Sequence, residues 1–309
     1  MTSLQVGILI VLYKNTEEEL KRLSGSINNQ TFRNFKVYLI DNSENNRVSI
    51  HLLKMNFPNA FLERSQGNIG YAKANNILAK RALVDGCKYL LILNPDMELT
   101  ENTLEVFLNI MENNTAAAAC SSLIMYGNKI KNDEIIQMFG GFCNFYTLNK
   151  RFFYTNLKMS KVVLPKIAEV TLLSGGALFI SAQIFNEVGM FEEKYFMYND
   201  EADLMKRIFD NGYKILVTSL TKIYHHHDYT PENVKGYQIM YYYMLRNRVL
   251  YFKKFGLYPY LIFDLFFQFI SFPLKVKMFY KIGSLSIIKY YYLGLLRGLL
   301  GETGRSKIQ

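Results

Sequence analysis

A carboxylate at the end of an apolar run is the first feature of this sequence that could do chemistry. The apolar residues from Tyr89 onward stop at Asn94-Pro95-Asp96. Such a run is typical of a strand buried on both faces of a parallel sheet, and open α/β sheets bind ligands at the carboxyl ends of such strands. Pro95 cannot donate a ladder hydrogen bond, so the strand should end here and direct Asp96 into the crevice. The alternative is a turn acid that caps a helix starting near Thr100.

A second group of carboxylates lies at the expected start of a helix. Asp200, Glu201 and Asp203 fall within four residues. The helix dipole favours negative charge at this end, so an ordinary acidic first turn explains the cluster as well as a catalytic base does.

Three consecutive histidines, His225, His226 and His227, follow the last predicted strand, and the chain has four in all. Imidazoles in this place are candidate metal ligands. No cysteine or further histidine stands at zinc spacing, so an ion here would be a hard or intermediate one that phosphate oxygens also bind.

Two glycine-containing segments could let a ligand approach the backbone. Asn68 and Gly70 precede a predicted helix, whose free amides and dipole favour phosphate, although neither a Walker nor a dinucleotide spacing is present and a plain turn is the alternative. Gly175 and Gly176 interrupt an apolar strand between residues 170 and 180, which usually marks a bulge or a close approach.

The elements that position these residues follow an α/β pattern. Val6 to Leu12 is an apolar run of strand length, and Thr16 with Glu19 resembles a capping box for a helix from about Glu17 to Asn29. Val37 to Ile40 is the next strand, followed by Asp41. A right-handed crossover between parallel strands places Tyr13 and Asp41 on one edge of the sheet, where a nucleotide would lie.

The remaining elements are predicted in less detail. We expect a short strand at 60–64, a helix after Gly70, a covering helix over 100–113, a short helix at 182–188 and a last short strand at 215–217. Residues 116–170 show no clear period, and we expect irregular strands and a mobile loop near an acceptor.

Composition limits the class of protein and its partners. The chain has 309 residues, 50% of them hydrophobic, so disorder is excluded as its general state. A net charge of +10 favours nucleotide diphosphates, nucleic acid or an acidic membrane surface, but no known nucleic-acid module is recognisable. Three cysteines without a zinc pattern and the lack of a signal peptide predict a cytoplasmic protein with buried thiols.

The last part of the chain, residues 251–309, is apolar and basic. Leu257 to Leu274 is at the lower length limit for a membrane-spanning helix. Its polar residues fall on one stripe, which favours a helix lying on a membrane surface or packed on the protein over a spanning one. These residues are Asp264, Gln268, Ser271 and Lys275.

The order of these motifs resembles the inverting glycosyltransferases of family 2, most closely their rhamnosyltransferase-like branch. The resemblance covers about residues 5–250, and its pieces are specific in their order and spacing. They are Tyr13-Lys14-Asn15, Asp41-Asn42-Ser43, Asn68-Ile69-Gly70-Tyr71-Ala72 with Asn75-Asn76, Leu93-Asn94-Pro95-Asp96, Ser174-Gly175-Gly176, Asp200-Glu201-Ala202-Asp203-Leu204 with Arg207, and His225.

The resemblance implies a GT-A fold, with a nucleotide-binding half at about 1–115 and an acceptor half at 116–250. The composition of residues 251–309 adds a helical, membrane-associating tail. The resemblance also implies a divalent metal, Mn2+ or Mg2+, held by Asp96 and by His225, or by His226 or His227 in its place. The metal motif of the family usually has two acids, and here only Asp96 is present. The donor-binding residues it implies are Tyr13, Asp41, Asn68, Gly70, Asn76, Asp96, Gly175 and Gly176.

The catalytic base by resemblance is Glu201 or Asp200. The family tends to have Glu-Asp where this chain has Asp200-Glu201, and position favours Glu201. The branch implies dTDP-rhamnose as donor, with UDP-galactose, UDP-glucose or UDP-galactofuranose as alternatives. The implied acceptor is a growing cell-surface glycan, such as O-antigen or capsule, on a polyprenyl diphosphate at the inner face of the cell membrane.

Two other functions are compatible with parts of the pattern. A nucleotidyltransferase would share a similar fold, but the glycine-rich basic signature expected after its first strand is not found at Tyr13-Lys14-Asn15. A non-catalytic partner in envelope polysaccharide assembly is the other alternative. The joint presence of Asp41, Asp96, Glu201 and His225 argues against it.

Overall fold

A ten-stranded mixed sheet forms the centre of the fold in the computed structural model, which describes residues 5–45, 48–127, 134–226, 234–281 and 284–308. The strands are β1 Val6–Leu12, β2 Phe35–Asp41, β3 Phe61–Arg64, β4 Tyr89–Leu93, β5 Met97–Leu99, β6 Ala117–Tyr126, β7 Ile136–Met138, β8 Gly141–Asn144, β9 Asn149–Phe152, β10 Ile167–Glu169, β11 Ala177–Ser181 and β12 Lys214–His225. The helices are α1 Glu17–Asn28, α2 Ile50–Asn56, α3 Tyr71–Val84, α4 Thr103–Asn113, α5 Ala182–Glu187, α6 Asp200–Asp210, α7 Val234–Lys254, α8 Tyr258–Ile270, α9 Phe272–Lys281 and α10 Ser286–Leu299.

The first half of the chain forms a parallel sheet in the order β3-β2-β1-β4. Helix α1 begins as predicted, because Glu19 donates its backbone N–H to the Thr16 hydroxyl while its carboxylate accepts the Thr16 N–H at 2.8 Å. Since β1 pairs in register with both β2 and β4, the residues that follow these three strands meet at one edge of the sheet. The predicted α/β architecture is confirmed.

The second half extends the same sheet beyond β4. Strand β11 pairs antiparallel with β4 and β6, and β12 lies parallel to β6. Strand β12 runs to His225, so the prediction of a strand ending at Val217 was too short. The pairing register shifts between Thr218 and Lys222, and it resumes beyond this irregularity. A pattern of alternating residues cannot be followed through such a shift.

The described parts of segment 116–170, residues 116–127 and 134–170, are more regular than predicted. Strand β6 has ten residues, nine of them buried, and the small side chains of Ala117, Ala118 and Ala119 let it lie at the centre of the sheet. Strands β8 and β9 form a separate two-stranded hairpin. Its residues reach the acidic motif through Lys150.

Among the described residues, four helices follow β12. The 21-residue helix α7 packs along α10, and α8 and α9 lie between them in sequence. The proposed domain boundary at 250/251 therefore falls inside α7. In the described ranges, no helix is both long enough and apolar enough to cross a bilayer.

Candidate active site

A cleft of about 760 Å3 opens at the carboxyl ends of β1, β2 and β4. Tyr13, Asn68 and Asp96, three of the residues proposed for the donor, line it together. Three cationic side chains join them: Lys14, which follows Tyr13 in the chain, and Lys235 and Arg305 from the last third of the chain. The acids of the lining are Glu19, Glu44 and Asp96. Both positive and negative side chains therefore line the cleft, which lies at the edge where open α/β sheets bind ligands.

Asp96 and His225 come together through the pairing of two strands. Antiparallel pairing of β5 with β12 puts His225 opposite Met97, the residue after Asp96. As a result, Nε2 of His225 lies 3.1 Å from Oδ2 of Asp96. Both side chains are about four-fifths buried, with 17% and 22% of their surfaces exposed.

Gln137 determines the orientation of the His225 ring. Oε1 of Gln137 lies 2.9 Å from Nδ1 of His225. Because an amide oxygen only accepts, a neutral His225 ring carries its proton on Nδ1 and has a lone pair on Nε2. A lone pair that faces a carboxylate oxygen is favourable only with a proton or a cation between the two atoms. Adjacent ligands about 2.1–2.2 Å from an octahedral ion lie about 3.0–3.1 Å apart, so the donor atoms and their spacing fit a divalent ion.

The other two histidines stand apart from this pair or outside the description. Nε2 of His226 lies 2.6 Å from the Glu98 carboxylate, and the ring packs on Gly127. His227 lies outside the described residues. Within the described ranges, no cluster of three or more histidine, cysteine or acidic side chains is arranged to hold a metal, so Asp96 and His225 are the pair that the described chain offers at this cleft.

Gly175 and Gly176 pack on the turn that carries Asp96. Gly176 accepts the Asn94 N–H at 2.8 Å, and a Cβ there would lie 2.7 Å from Cε of Met97. Gly175 accepts the Tyr71 hydroxyl at 2.6 Å. Burial and then the charges of nearby carboxylates raise the pKa of Tyr71, so its phenol remains a donor. The glycine pair thus brings the end of β4 close to β11.

The acidic motif begins α6 on the far side of Gly175. A Cβ at Gly175 would lie 3.7 Å from Cβ of Glu201. Lys150 of β9 donates to Glu201 at 2.7 Å and to Asn199 at 2.9 Å. Asp200 is 5% exposed, and burial followed by the charge of Glu201 raises its pKa to about 7. Of the two candidate bases, Glu201 is therefore the more accessible and the one with a cation beside it.

The rest of the acidic motif is structural. Asp203 is fully buried and accepts hydrogen bonds from Arg207 at 2.7 Å and from the Tyr195 hydroxyl at 2.9 Å. Lys254 of α7 also binds it, at 2.8 Å. Removing Asp203 would take away the carboxylate partner of Arg207 and one of the two carboxylates that bind Lys254, the other being Glu192, so Asp203 ties α6 to α7.

Two of the proposed donor residues, Asp41 and Asn76, are buried, unlike Tyr13 and Asn68. Asp41 is 1% exposed; its Oδ1 accepts the Ser43 N–H, and its Oδ2 has no hydrogen bond within the described residues. Asn76 is also buried, and its amide donates to the Phe191 carbonyl and accepts the Phe191 N–H, so a place near the nucleotide stays a prediction.

Packing alone explains why residue 70 is a glycine. Its φ is +89°, and a Cβ would lie 2.7 Å from the carbonyl oxygen of Phe196. That carbonyl accepts the Tyr71 N–H at 2.9 Å, so one of the amides expected to face phosphate is already bonded. A donor role for Gly70 stays a prediction, while its close approach to Phe196 is sufficient to require glycine.

Sequence reasoning missed several residues of this site. Gln137 and Lys150 come from the segment without clear periodicity, and Lys235 and Arg305 come from regions beyond the motifs. No spacing relates them to Asp96 or Glu201. Only the excess of basic residues pointed to them. It predicted an anionic partner, but it did not identify which side chains contact that partner.

Comparison with known proteins identifies relatives of part of the chain. The family model for Glycosyl transferase family 2 matches residues 8–173. N-acetylglucosaminyl-diphospho-decaprenol L-rhamnosyltransferase of Mycobacterium tuberculosis, from strains CDC 1551 / Oshkosh and ATCC 25618 / H37Rv, is 24% identical over 223 residues. That alignment covers 67% of this chain and 71% of the relative.

Solved structures share the fold at lower identity. GalNAc-T7 with UDP, GalNAc and Mn2+ matches with a TM-score of 0.62 at 17% identity, over 82% of this chain and 48% of that one. S. aureus TarS 1-349 matches with a TM-score of 0.52 at 14% identity, over 80% of this chain and 65% of that one. The chain thus spans about half the length of GalNAc-T7, and these likenesses show the GT-A fold alone. Because the family model matches more than half of the 309 residues, the chain belongs to glycosyltransferase family 2.

Proposed function

We propose that the chain transfers a sugar, with inversion, from a nucleotide-diphosphate donor to a lipid-linked glycan. The observation that carries the proposal is the contact of His225 with Asp96, which lines the cleft together with Tyr13 and Asn68. The M. tuberculosis relative is, by its name, an L-rhamnosyltransferase that acts on N-acetylglucosaminyl-diphospho-decaprenol. It supports dTDP-rhamnose as the first donor to test and a polyprenyl-diphosphate-linked glycan as acceptor.

Asp96 and His225 would hold a divalent ion, Mn2+ or Mg2+, together with the donor. When bound, such an ion supplies positive charge where the departing nucleoside diphosphate becomes more negative. The cationic side chains of the lining act on the same anion. In this proposal, residues 1–115 hold the donor and residues 116–250 face the acceptor.

Glu201 is the proposed base. The acceptor oxygen bonds to the anomeric carbon while the bond from that carbon to the diphosphate oxygen breaks, and the electron pair leaves with the diphosphate. The hydroxyl proton goes to the Glu201 carboxylate. Lys150, 2.7 Å away, holds that carboxylate in one orientation before the acceptor arrives.

We also propose that α8 and α9 lie on the cytoplasmic face of the cell membrane. The polar stripe of α8 faces the protein, where Asp264 binds Arg248 at 2.8 Å and Gln268 binds Tyr291. Its aromatic residues face outward, with Phe263 65% and Phe269 75% exposed. Exposed lysines of α9, Lys277 and Lys281, suit anionic headgroups.

The test is nucleoside-diphosphate release from a panel of sugar nucleotides, with and without Mn2+ or Mg2+, in the presence of a polyprenyl-diphosphate-linked acceptor. We expect metal-dependent release from dTDP-rhamnose. Release from UDP-galactose, UDP-glucose or UDP-galactofuranose instead would replace the donor and keep the transferase. Failure to bind or turn over any donor would favour a non-catalytic partner of an envelope polysaccharide assembly.

A further inference from the structure

Residues 301–308, here called the return segment, follow α10 and run back to the donor cleft. Gly304 donates its N–H to the Lys194 carbonyl at 2.8 Å and accepts a hydrogen bond from Arg246 at 2.6 Å. Ser306 donates its N–H to the Tyr243 hydroxyl at 2.8 Å. These contacts on both sides of position 305 fix the segment as part of the cleft wall.

The return segment places one side chain in the cleft. Arg305 lines it together with Tyr13 and Asp96, and its guanidinium pairs with the Glu44 carboxylate. Each of the two paired side chains is 36% exposed. The hydrogen bond from Arg305 lowers the pKa of Glu44, and the charge of Lys14 acts in the same direction.

We propose that Arg305 binds the diphosphate of the donor and exchanges the Glu44 carboxylate for phosphate oxygens. The inference rests on the proposed function, since it assumes a nucleotide-diphosphate donor in this cleft. A guanidinium presents a planar fork of N–H donors that matches phosphate, and a diphosphate carries more charge than one carboxylate. A half-exposed ion pair contributes little, so the exchange costs little. Glu44 keeps the nearby charge of Lys14 after it loses Arg305.

The anchor of the return segment also holds the loop before the acidic motif. Arg246, 1% exposed, donates to Gly304 on one side and to the Tyr195 carbonyl, at 2.7 Å, on the other. Its neighbour Asn247 donates to the carbonyls of Met197 and Tyr198, which line the cleft. Arg305 therefore stands at a fixed place relative to the loop that leads to Glu201.

The experiment measures the affinity of the full chain for dTDP and UDP by calorimetry, with Mn2+ present. Arg305→Gln should weaken the tighter of the two about 10- to 100-fold, as expected for loss of a charge-assisted contact to phosphate. Lys307→Gln is the matched control, because it removes the same charge from the same segment at a residue outside the cleft lining, and it should bind as the wild type does.

Glu44→Gln distinguishes two roles of the Arg305–Glu44 pair. Either Arg305 leaves Glu44 to bind the diphosphate, or the pair only holds the return segment in place. If Arg305 exchanges partners, removing the competing carboxylate leaves nucleoside-diphosphate affinity unchanged or raises it. Equal weakening by Glu44→Gln and Arg305→Gln, or wild-type affinity in Arg305→Gln, would overturn the inference and leave the proposed function intact. Absence of nucleoside-diphosphate binding by the wild-type chain would instead overturn the proposed function, and this inference with it.

Discussion

Nε2 of His225 lies 3.1 Å from Oδ2 of Asp96, although 129 positions separate the two residues in the chain. The antiparallel pairing of β5 with β12 creates this contact, and the Gln137 oxygen on Nδ1 directs the ring toward it. The proposed metal-dependent chemistry depends on this contact between Asp96 and His225.

Asp96→Asn should lower sugar-nucleotide turnover about 100- to 1,000-fold, because a neutral amide is a poor ligand for a hard cation and stabilises less charge on the leaving diphosphate. Initial rates across a Mn2+ titration measure the effect. Glu98→Gln is the control: it removes a carboxylate two residues away that binds His226, and it should change the rate only a few-fold. Undiminished metal-dependent turnover in Asp96→Asn would place the ion elsewhere.

Gln137→Ala should weaken the apparent affinity for Mn2+ about 10- to 100-fold while leaving kcat at saturating Mn2+ nearly unchanged. The reason is that Gln137 accepts the Nδ1 proton and thereby positions His225, without itself contacting the donor. Gln137→Glu, which can accept the same proton, should retain the affinity. An equal loss of kcat at saturating Mn2+ would contradict a positioning role.

Glu201→Gln should lower kcat about 100- to 10,000-fold, the usual contribution of a general base, and leave nucleoside-diphosphate affinity nearly intact. Rates and calorimetric affinities measured on one preparation separate the two effects. Asp200→Asn serves as the comparison, because the adjacent acid is 5% exposed. A larger loss of kcat in Asp200→Asn than in Glu201→Gln would reverse the assignment of the base.

The parts of the site that could be predicted from the sequence lie next to continuous patterns, such as an apolar run or a helix-capping motif. Strand β4 ends at Leu93, just before the predicted Asn94-Pro95-Asp96 stop, and the Thr16 capping box starts α1 as expected. Parallel pairing then determines which strand ends meet, so the placing of Tyr13 and Asp96 in one cleft was predictable. Local pattern and strand topology agree in this half of the chain.

Partners across the fold were not predictable. Asn76 looks like a polar residue near a ligand until its amide is seen on the Phe191 backbone. Lys150 looks like one more surface cation until the β8–β9 hairpin brings it to Glu201. In both cases the role of the side chain depends on a residue far away in sequence. The spacing of residues within one helix or strand cannot predict such a contact.

Asp200 predicts an unusual dependence of stability on pH. Its pKa is raised to about 7, whereas an unfolded aspartate titrates near pH 3.9, so between these values the folded chain holds a proton that the unfolded chain has lost. This residue therefore makes stability fall as pH rises from about 4 to 7, by at most about 4 kcal/mol. Denaturant unfolding at pH 5, 6 and 8 measures the slope.

Asp200→Asn should remove that contribution, so the variant gains stability relative to the wild type as pH rises through this window. Asp210→Asn is the control on the same helix, because Asp210 is 45% exposed and pairs with Lys206. Parallel pH profiles for the wild type and Asp200→Asn would show that the buried carboxyl does not carry the slope.

The orientation of α8 leads to the last prediction. The sequence showed that Asp264 and Gln268 share a stripe but not which way it faces, and the structure turns it inward, leaving Phe263, Phe266 and Phe269 between 62% and 75% exposed. Burial of one phenylalanine in the acyl boundary contributes about 1.5–3 kcal/mol. Serine at each of the three positions should therefore lower partitioning onto anionic vesicles about 10- to 100-fold per site, with little loss of fold stability.

Co-sedimentation with vesicles of stated anionic-lipid content measures this partitioning. Phe142→Ser is the matched control, since Phe142 is 48% exposed on β8 and belongs to neither of the two proposed membrane helices, so its loss should leave vesicle binding unchanged. Raised salt should weaken binding through Lys277 and Lys281 without abolishing it, because the apolar contribution is not screened. If the three α8 variants bind vesicles as the wild type does but alter the oligomeric state, the exposed face contacts a second copy of the chain rather than lipid.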